Sequence, residues 1–229
     1  MKPCAIAWSC NSRRATDARM YTPRAFVSTD PAALDALFAS DAFITLVTVV
    51  DGAPCISHLP VLLERDGDAI ALRGHWAKPN PQASHTGPAV AIVHGPHAYV
   101  SPSWYPDKVA ETRVPTWNYV IAHLHGSLER LTETDDLAAI VADLSEQYET
   151  QVGEDWRYVD DDAHRSQLRG IVGFRLHVER VELKAKLNQN HPDANREAVI
   201  AALAAQSTDD ARAVAHWMRE ALDASRAKD

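Results

Sequence analysis

Four polar clusters interrupt otherwise apolar, strand-like runs and hold the residues most able to do chemistry. They are SHLP (Ser57 to Pro60), GHWAKPNPQ (Gly74 to Gln82), GPHAYVSPSWYP (Gly95 to Pro106) and KAKLNQN (Lys184 to Asn190). Ser57, His58, His75, Lys78 and Asn80 offer a hydroxyl, two imidazoles, an ammonium and an amide, the donor types that surround a phosphate. Each also has an ordinary role open to it, Lys78 as a solvated cation and Asn80 as a turn cap. No GxGxxG or P-loop pattern is present, so a Rossmann dinucleotide site is not expected.

The chain has 11 histidines, which raises the question of a metal. His123 and His125 alternate correctly to share one face of a strand, with His94 and His97 nearby in sequence. No carboxylate or cysteine stands at zinc spacing beside them, so no dedicated metal site is expected. Ser57 and His58 are neighbours on opposite faces of a strand and cannot form a nucleophile–base pair by themselves, and GxSxG is absent. Hydrolase chemistry has no support. Cys4, Cys10 and Cys55 form neither a disulfide framework nor a CxxC, and Cys55 reads as a small buried hydrophobe.

Positioning these clusters requires a sheet. Phe43 to Val50 reads as a strand closed by the turn pair Asp51-Gly52, and Pro54 to Arg65 as its return, closed by Asp66-Gly67. Ala69 to His75, Ala89 to His94 and Ala98 to Ser101 follow as strands. Thr116 to Leu131 is a long strand with Trp117, Tyr119, Ile121, His123 and His125 on one face. Ile171 to Leu183 is the last. Pro60 inside a strand removes a ladder donor and marks an edge or a bulge.

Helices are expected after Asp30-Pro31, over about Asp135 to Tyr148 with Thr134 as cap, and as a closing pair carrying Val199, Ile200 and Leu203, then Val214, Trp217, Met218 and Leu222. Hairpins joined by DG turns imply an antiparallel sheet, closed rather than open. The expected division is a disordered leader over residues 1–19, a barrel domain over 20–190 and a helical extension over 191–229.

Composition narrows the partners. The net charge is −8. Lys2, Arg13, Arg14 and Arg19 against Asp17 put the first 19 residues at +3, which leaves −11 on the remainder. A body that acidic repels nucleic acid, and the closing helices lack a basic or amide-rich face, so direct DNA binding is not expected. No run is long and apolar enough for a membrane span or a secretory signal, which makes the cytoplasm the expected compartment.

The same clusters, with MYTPRAF (Met20 to Phe26), VPTWNY (Val114 to Tyr119) and IVGF (Ile171 to Phe174), resemble the successive motifs of PaiB-type proteins from Met20 to about Met218. That family is labelled FMN-binding and negative transcriptional regulator. The resemblance implies an α+β fold: an antiparallel split β-barrel, similar to pyridoxamine-phosphate oxidases, with peripheral helices and a C-terminal helical hairpin. It also implies a homodimer with cofactor sites at the subunit interface.

Ser57, His58, His75, Lys78 and Asn80 match its phosphate-side motifs. Lys186, Asn188 and Gln189 match a late motif that reaches a partner's cofactor. This chain departs from the usual pattern at Trp76, Lys78 and Pro79, and at Ala185 and Asn188. Lysine in place of arginine at position 78 keeps the charge without the bidentate fork, and alanine in place of tryptophan at 185 removes an aromatic surface. The haem-dependent piperazate synthases share the signature. By that resemblance haem b is the alternative cofactor, with His58 as the candidate iron ligand. A third reading is a cofactor-free regulator acting through a protein partner. Whether the protein is an enzyme stays open at this level.

Overall fold

The computed structural model of the chain describes residues 19–227. The expected leader therefore lies, but for Arg19, outside the described residues. In chain order the main elements are β1 (Val27–Ser28), α1 (Pro31–Ser40), β2 (Phe43–Val50), β3 (Ala53–Pro60), β4 (Leu62–Asp66), β5 (Ala69–Ala77), β6 (Gly87–Val100), β7 (Thr116–Leu131), α2 (Thr134–Val152), α3 (Asp162–Gln167), β8 (Ile171–Lys186), α4 (Asp193–Ala204) and α5 (Asp209–Arg226). All strands pair antiparallel in one eight-stranded sheet of order β3-β2-β6-β7-β8-β5-β4, with β1 added beside β8.

The two ends of that order, β3 and β4, are consecutive in the chain and separated only by Val61. The sheet must therefore curl until its edges meet, which is the split barrel expected from the motifs. The return strand read as Pro54 to Arg65 is in fact these two strands on opposite edges. Pro60 supplies the break, because it has no N–H to continue the ladder. Val61 is fully buried at the seam and its N–H donates to the Ala42 carbonyl at 3.0 Å.

Local chemistry fixes the rest. The Asp30 carboxylate caps α1 by accepting from the Ala32 N–H at 3.0 Å, with Pro31 in the first turn. Asp51 and Gly52 have φ of 51° and 78°, the pair of left-handed residues that a two-residue hairpin turn demands. Three boundaries differ from expectation. The two strands read over Ala89 to Ser101 are one, β6, with an irregularity between His94 and His97. Thr134 is the first residue of α2, and Glu133 at the cap position makes no side-chain cap. The last strand runs on to Lys186, so the first half of the KAKLNQN cluster is on β8.

The core fills the barrel and continues without a break under the C-terminal pair. Leu46, Leu72, Val93, Leu124, Phe174 and Leu176 share one apolar cluster with Val199, Val214, Met218 and Leu222. Trp76 is fully buried against Phe174, ring centroids 4.4 Å apart, so the tryptophan of GHWAKPNPQ is a core residue. Ala185 is likewise buried, paired with Val120, and takes no surface from the opposite face. Among the described residues no helix is long and apolar enough to cross a membrane.

Candidate functional site

Alternation along β7 sends Asn118, Val120, Ala122 and Leu124 into the core and leaves Trp117, Tyr119, Ile121, His123 and His125 on the outside, as the pattern predicts. Register then assembles an outer face across five strands. Thr45 of β2 lies opposite His58 of β3 and Ile92 of β6; Ile92 lies opposite His123 of β7, and His123 opposite Glu182 of β8.

The Thr45 hydroxyl is 3.1 Å from His58 Nδ1 and 3.1 Å from His94 Nε2. A hydroxyl has one proton, so when it donates to one imidazole it accepts from the other. The His58 ring also stacks on Phe43, with centroids 6.5 Å apart. Around this histidine row the face is apolar and open: Phe43, Val49, Ile56, Tyr99 and Trp117 are each 45–59% exposed. Further along, Lys184 sits over the rings of Tyr21 and Tyr119 and donates to the Tyr21 carbonyl at 2.8 Å. Lys186 donates to Thr116 Oγ1 and to the Trp117 carbonyl, and burial, with Lys184 nearby, lowers its pKa.

The residues expected near a phosphate separate into four places. Ser57 faces inward, its hydroxyl accepting from Asn80 Nδ2 at 2.9 Å, while Asn80 Oδ1 caps the Gln82 N–H at 2.9 Å. Asn80 is thus a turn cap. Gln82, fully buried, is the structural centre of that motif: its Nε2 reaches the Cys55 carbonyl at 2.7 Å, Thr48 Oγ1 at 3.0 Å and the Leu46 carbonyl at 3.2 Å. Cys55 itself is half-buried on β3 rather than a core residue. His58 points to the opposite side, on the outer face. His75 has a buried Nδ1 with no partner among the described residues, and burial lowers its pKa.

Lys78 lines a cleft of about 620 Å³ with Arg130, Arg169, Thr132, Thr134 and Ser166. Lys78, Arg130 and Arg169 have no carboxylate partner among the described residues, whereas the fourth cation there, Arg165, is paired with Asp160 and Asp135. These residues come from the ends of β5 and β7 and the turn before β8, so their linear spacing hides the cluster. Asp162 also lines the cleft, but three cations without a carboxylate partner among the described residues and three hydroxyls outnumber it, and that donor set fits a phosphate group.

The late motif builds a separate small cleft of about 240 Å³. Asn188, buried with a left-handed φ of 61°, donates to the Tyr105 hydroxyl at 2.9 Å. His191 stacks on Tyr105 with ring centroids 5.0 Å apart, and the Arg113 guanidinium lies 5.9 Å from the centroid of the same Tyr105 ring. Asp107 accepts from Arg113 at 2.5 and 3.0 Å and from Asn195 at 2.9 Å, and the Arg113 guanidinium holds its carboxyl down at about 2. Gln189 folds back on its own turn, accepting from the Leu187 N–H and donating to the Ala185 carbonyl. Within one chain, Asn188 and Gln189 are therefore occupied by local bonds, and Lys186 alone of the three borders the outer face.

A family model described as "Putative FMN-binding domain" matches residues 20–180. The chain is 32% identical over 208 residues to the protein named "Protease synthase and sporulation protein PAI 2" of Bacillus subtilis, covering 89% of this chain and 98% of that one. It is 27% identical over 202 residues to an uncharacterized protein of Emericella nidulans, covering 72% and 80%. Among solved structures, an FAD and heme binding protein from Mycobacterium smegmatis superposes with a TM-score of 0.52 at 19% identity, covering 75% of this chain and 78% of that one. A 5-nitroimidazole antibiotic resistance protein from Bacteroides thetaiotaomicron gives 0.51 at 12% identity, covering 69% and 85%. Motifs, barrel and relatives agree, and the chain belongs to the PaiB-type family of FMN-binding split-barrel proteins.

Proposed function

We propose that this protein binds FMN through the Lys78, Arg130 and Arg169 cleft and works as a homodimer joined through the outer sheet face. The observation that carries the reading is the cleft itself. An acidic chain gathers three cations that are unpaired among the described residues, Lys78 of the GHWAKPNPQ motif with Arg130 and Arg169, beside hydroxyls, and phosphate is the group such a set attracts. The exposed Phe43, Val49, Ile56, Tyr99 and Trp117 supply the apolar area that a second copy would cover, and a two-fold contact needs only one self-complementary patch. Bound FMN would supply hydride or single-electron chemistry. The chain's own part is to fix the phosphate and exclude water from the outer face. A regulatory role would be exercised through a protein partner or cofactor state rather than by direct DNA contact, as the acidic balance of the chain favours.

The test is titration of the purified chain with FMN by flavin fluorescence. Arg130→Ala and Arg169→Ala should each weaken binding by about one charge-assisted hydrogen bond, roughly 1.5–3 kcal/mol or 10–150-fold in Kd. Wild type ignoring FMN at hundreds of micromolar would overturn the proposal.

One observation favours a second reading, haem held by His58. Thr45 engages His58 Nδ1 and leaves Nε2, on an exposed face, without a partner among the described residues, the arrangement by which a neighbouring group orients a ligating imidazole. In that reading Thr45→Val, which loses only the orienting hydroxyl, should weaken haemin roughly 10–100-fold and leave FMN untouched.

A further inference from the structure

His123 and His125 project from β7 on the same side, and the register sets Glu182 of β8 directly opposite His123. One ligand atom from each of the three lies within 4.8 Å of the other two, and all three residues are half-buried. His125 Nε2 already lies 2.9 Å from Glu182 Oε2. The carboxylate is oriented from behind: Arg180 donates to Oε1 at 2.5 Å and the Met20 N–H to Oε2 at 3.1 Å. Gly126 sets the position of His125, because the β7–β8 register shifts there and a Cβ on Gly126 would fall 2.0 Å from the His177 carbonyl oxygen.

We infer that His123, His125 and Glu182 form a binding site for a divalent transition-metal ion, zinc being the best match. Two imidazoles and a carboxylate are borderline ligands suited to zinc, cobalt or nickel, and three protein ligands leave a position for water. Tetrahedral coordination needs ligand atoms about 3.3 Å apart, which side-chain rotation alone can reach from the present separation. Arg180 and the Met20 N–H would then be the outer partners that ligating carboxylates normally have. The site is separate from the Lys78 cleft and does not depend on the flavin reading.

The experiment uses the full chain, without a histidine tag and stripped of metal, titrated with Co²⁺ in the visible region and with Zn²⁺ by calorimetry. Wild type should bind one ion per chain with a tetrahedral cobalt spectrum. His123→Ala is the decisive variant, because among the described residues His123 makes no hydrogen bond that the fold would lose. It should unfold as wild type does without metal, keep its FMN affinity, and lose at least about a hundredfold in metal affinity. Arg180→Gln should lose roughly 10–100-fold. His216→Ala, at a surface histidine beside Glu220 on α5, should change nothing. The inference is overturned if wild type takes up neither ion at hundreds of micromolar, or if His123→Ala binds as wild type does.

Discussion

Gln82 closes the family motif GHWAKPNPQ, yet the structure gives it a structural task, and Gln82→Leu tests that assignment. Its amide presents two hydrogens to three buried acceptors: the Cys55 carbonyl, Thr48 Oγ1 and the Leu46 carbonyl. Leucine has a similar size and no donor, so at least two acceptors lose their partner at about 1–3 kcal/mol each. Gln82 Oε1 has no partner now, and removing it returns one cost of the same size. The net loss is about 1–3 kcal/mol, which for a chain of this length lowers Tm by roughly 2–12 °C. Thermal unfolding followed by circular dichroism measures it, with FMN titration of the folded variant alongside. FMN affinity per folded molecule should stay within about threefold, under 1 kcal/mol. An unchanged Tm with a hundredfold loss of FMN would refute the structural assignment and return Gln82 to the cofactor.

The Asp107 carboxyl is held down at about 2 by Arg113, so its folded pKa lies below that of an ordinary aspartate. Its contribution is complete above pH 4 and fades as pH falls towards 2; Asp107→Asn should flatten that part of an acid-unfolding curve, and an unchanged curve would count against the pairing. Gly126→Ala places a methyl on the His177 carbonyl and should either abolish soluble expression or shift the bulge, visible as altered amide resonances around His125. Trp117→Glu and Ile56→Glu add charge to the exposed outer face and should convert a dimer to the 25.2 kDa monomer in sedimentation without lowering helix content. Wild type sedimenting as a monomer at micromolar concentration would remove the basis for that expectation.

Features set by neighbouring residues were legible in the sequence. Asp30-Pro31 announces α1, Asp51-Gly52 closes the first hairpin, and the alternation from Trp117 to His125 declares an outer face, because each depends on contacts only a few residues apart. Asn80 as a turn cap was equally readable. What escaped depends on register between distant strands. Glu182 meets His123 across β7 and β8 although 59 positions separate them, and no zinc spacing along the chain could show it. Lys78, Arg130 and Arg169 come together only when three strand ends converge, so a charge count that finds no basic patch is correct along the chain and incomplete in space. The Pro54 to Arg65 run looked like one strand because hydrophobicity continues through Pro60, while the fold uses the missing N–H to change edges.

Val61 carries an implication for self-association. Two Cα–Cα steps connect Pro60 to Leu62, so the strands that meet at this seam are held within about 7.6 Å of each other there. A foreign strand inserted between them would need about 4.8 Å to each neighbour, near 9.6 Å in all. The covalent link thus shuts the seam against strand addition at that end, and the charged Glu64, Arg65 and Asp66 guard the edge of β4 where it moves away. A circular permutant opened at Val61 would keep every side chain but release both edges, and it should grow into fibrils under conditions where the natural order of the chain stays in solution.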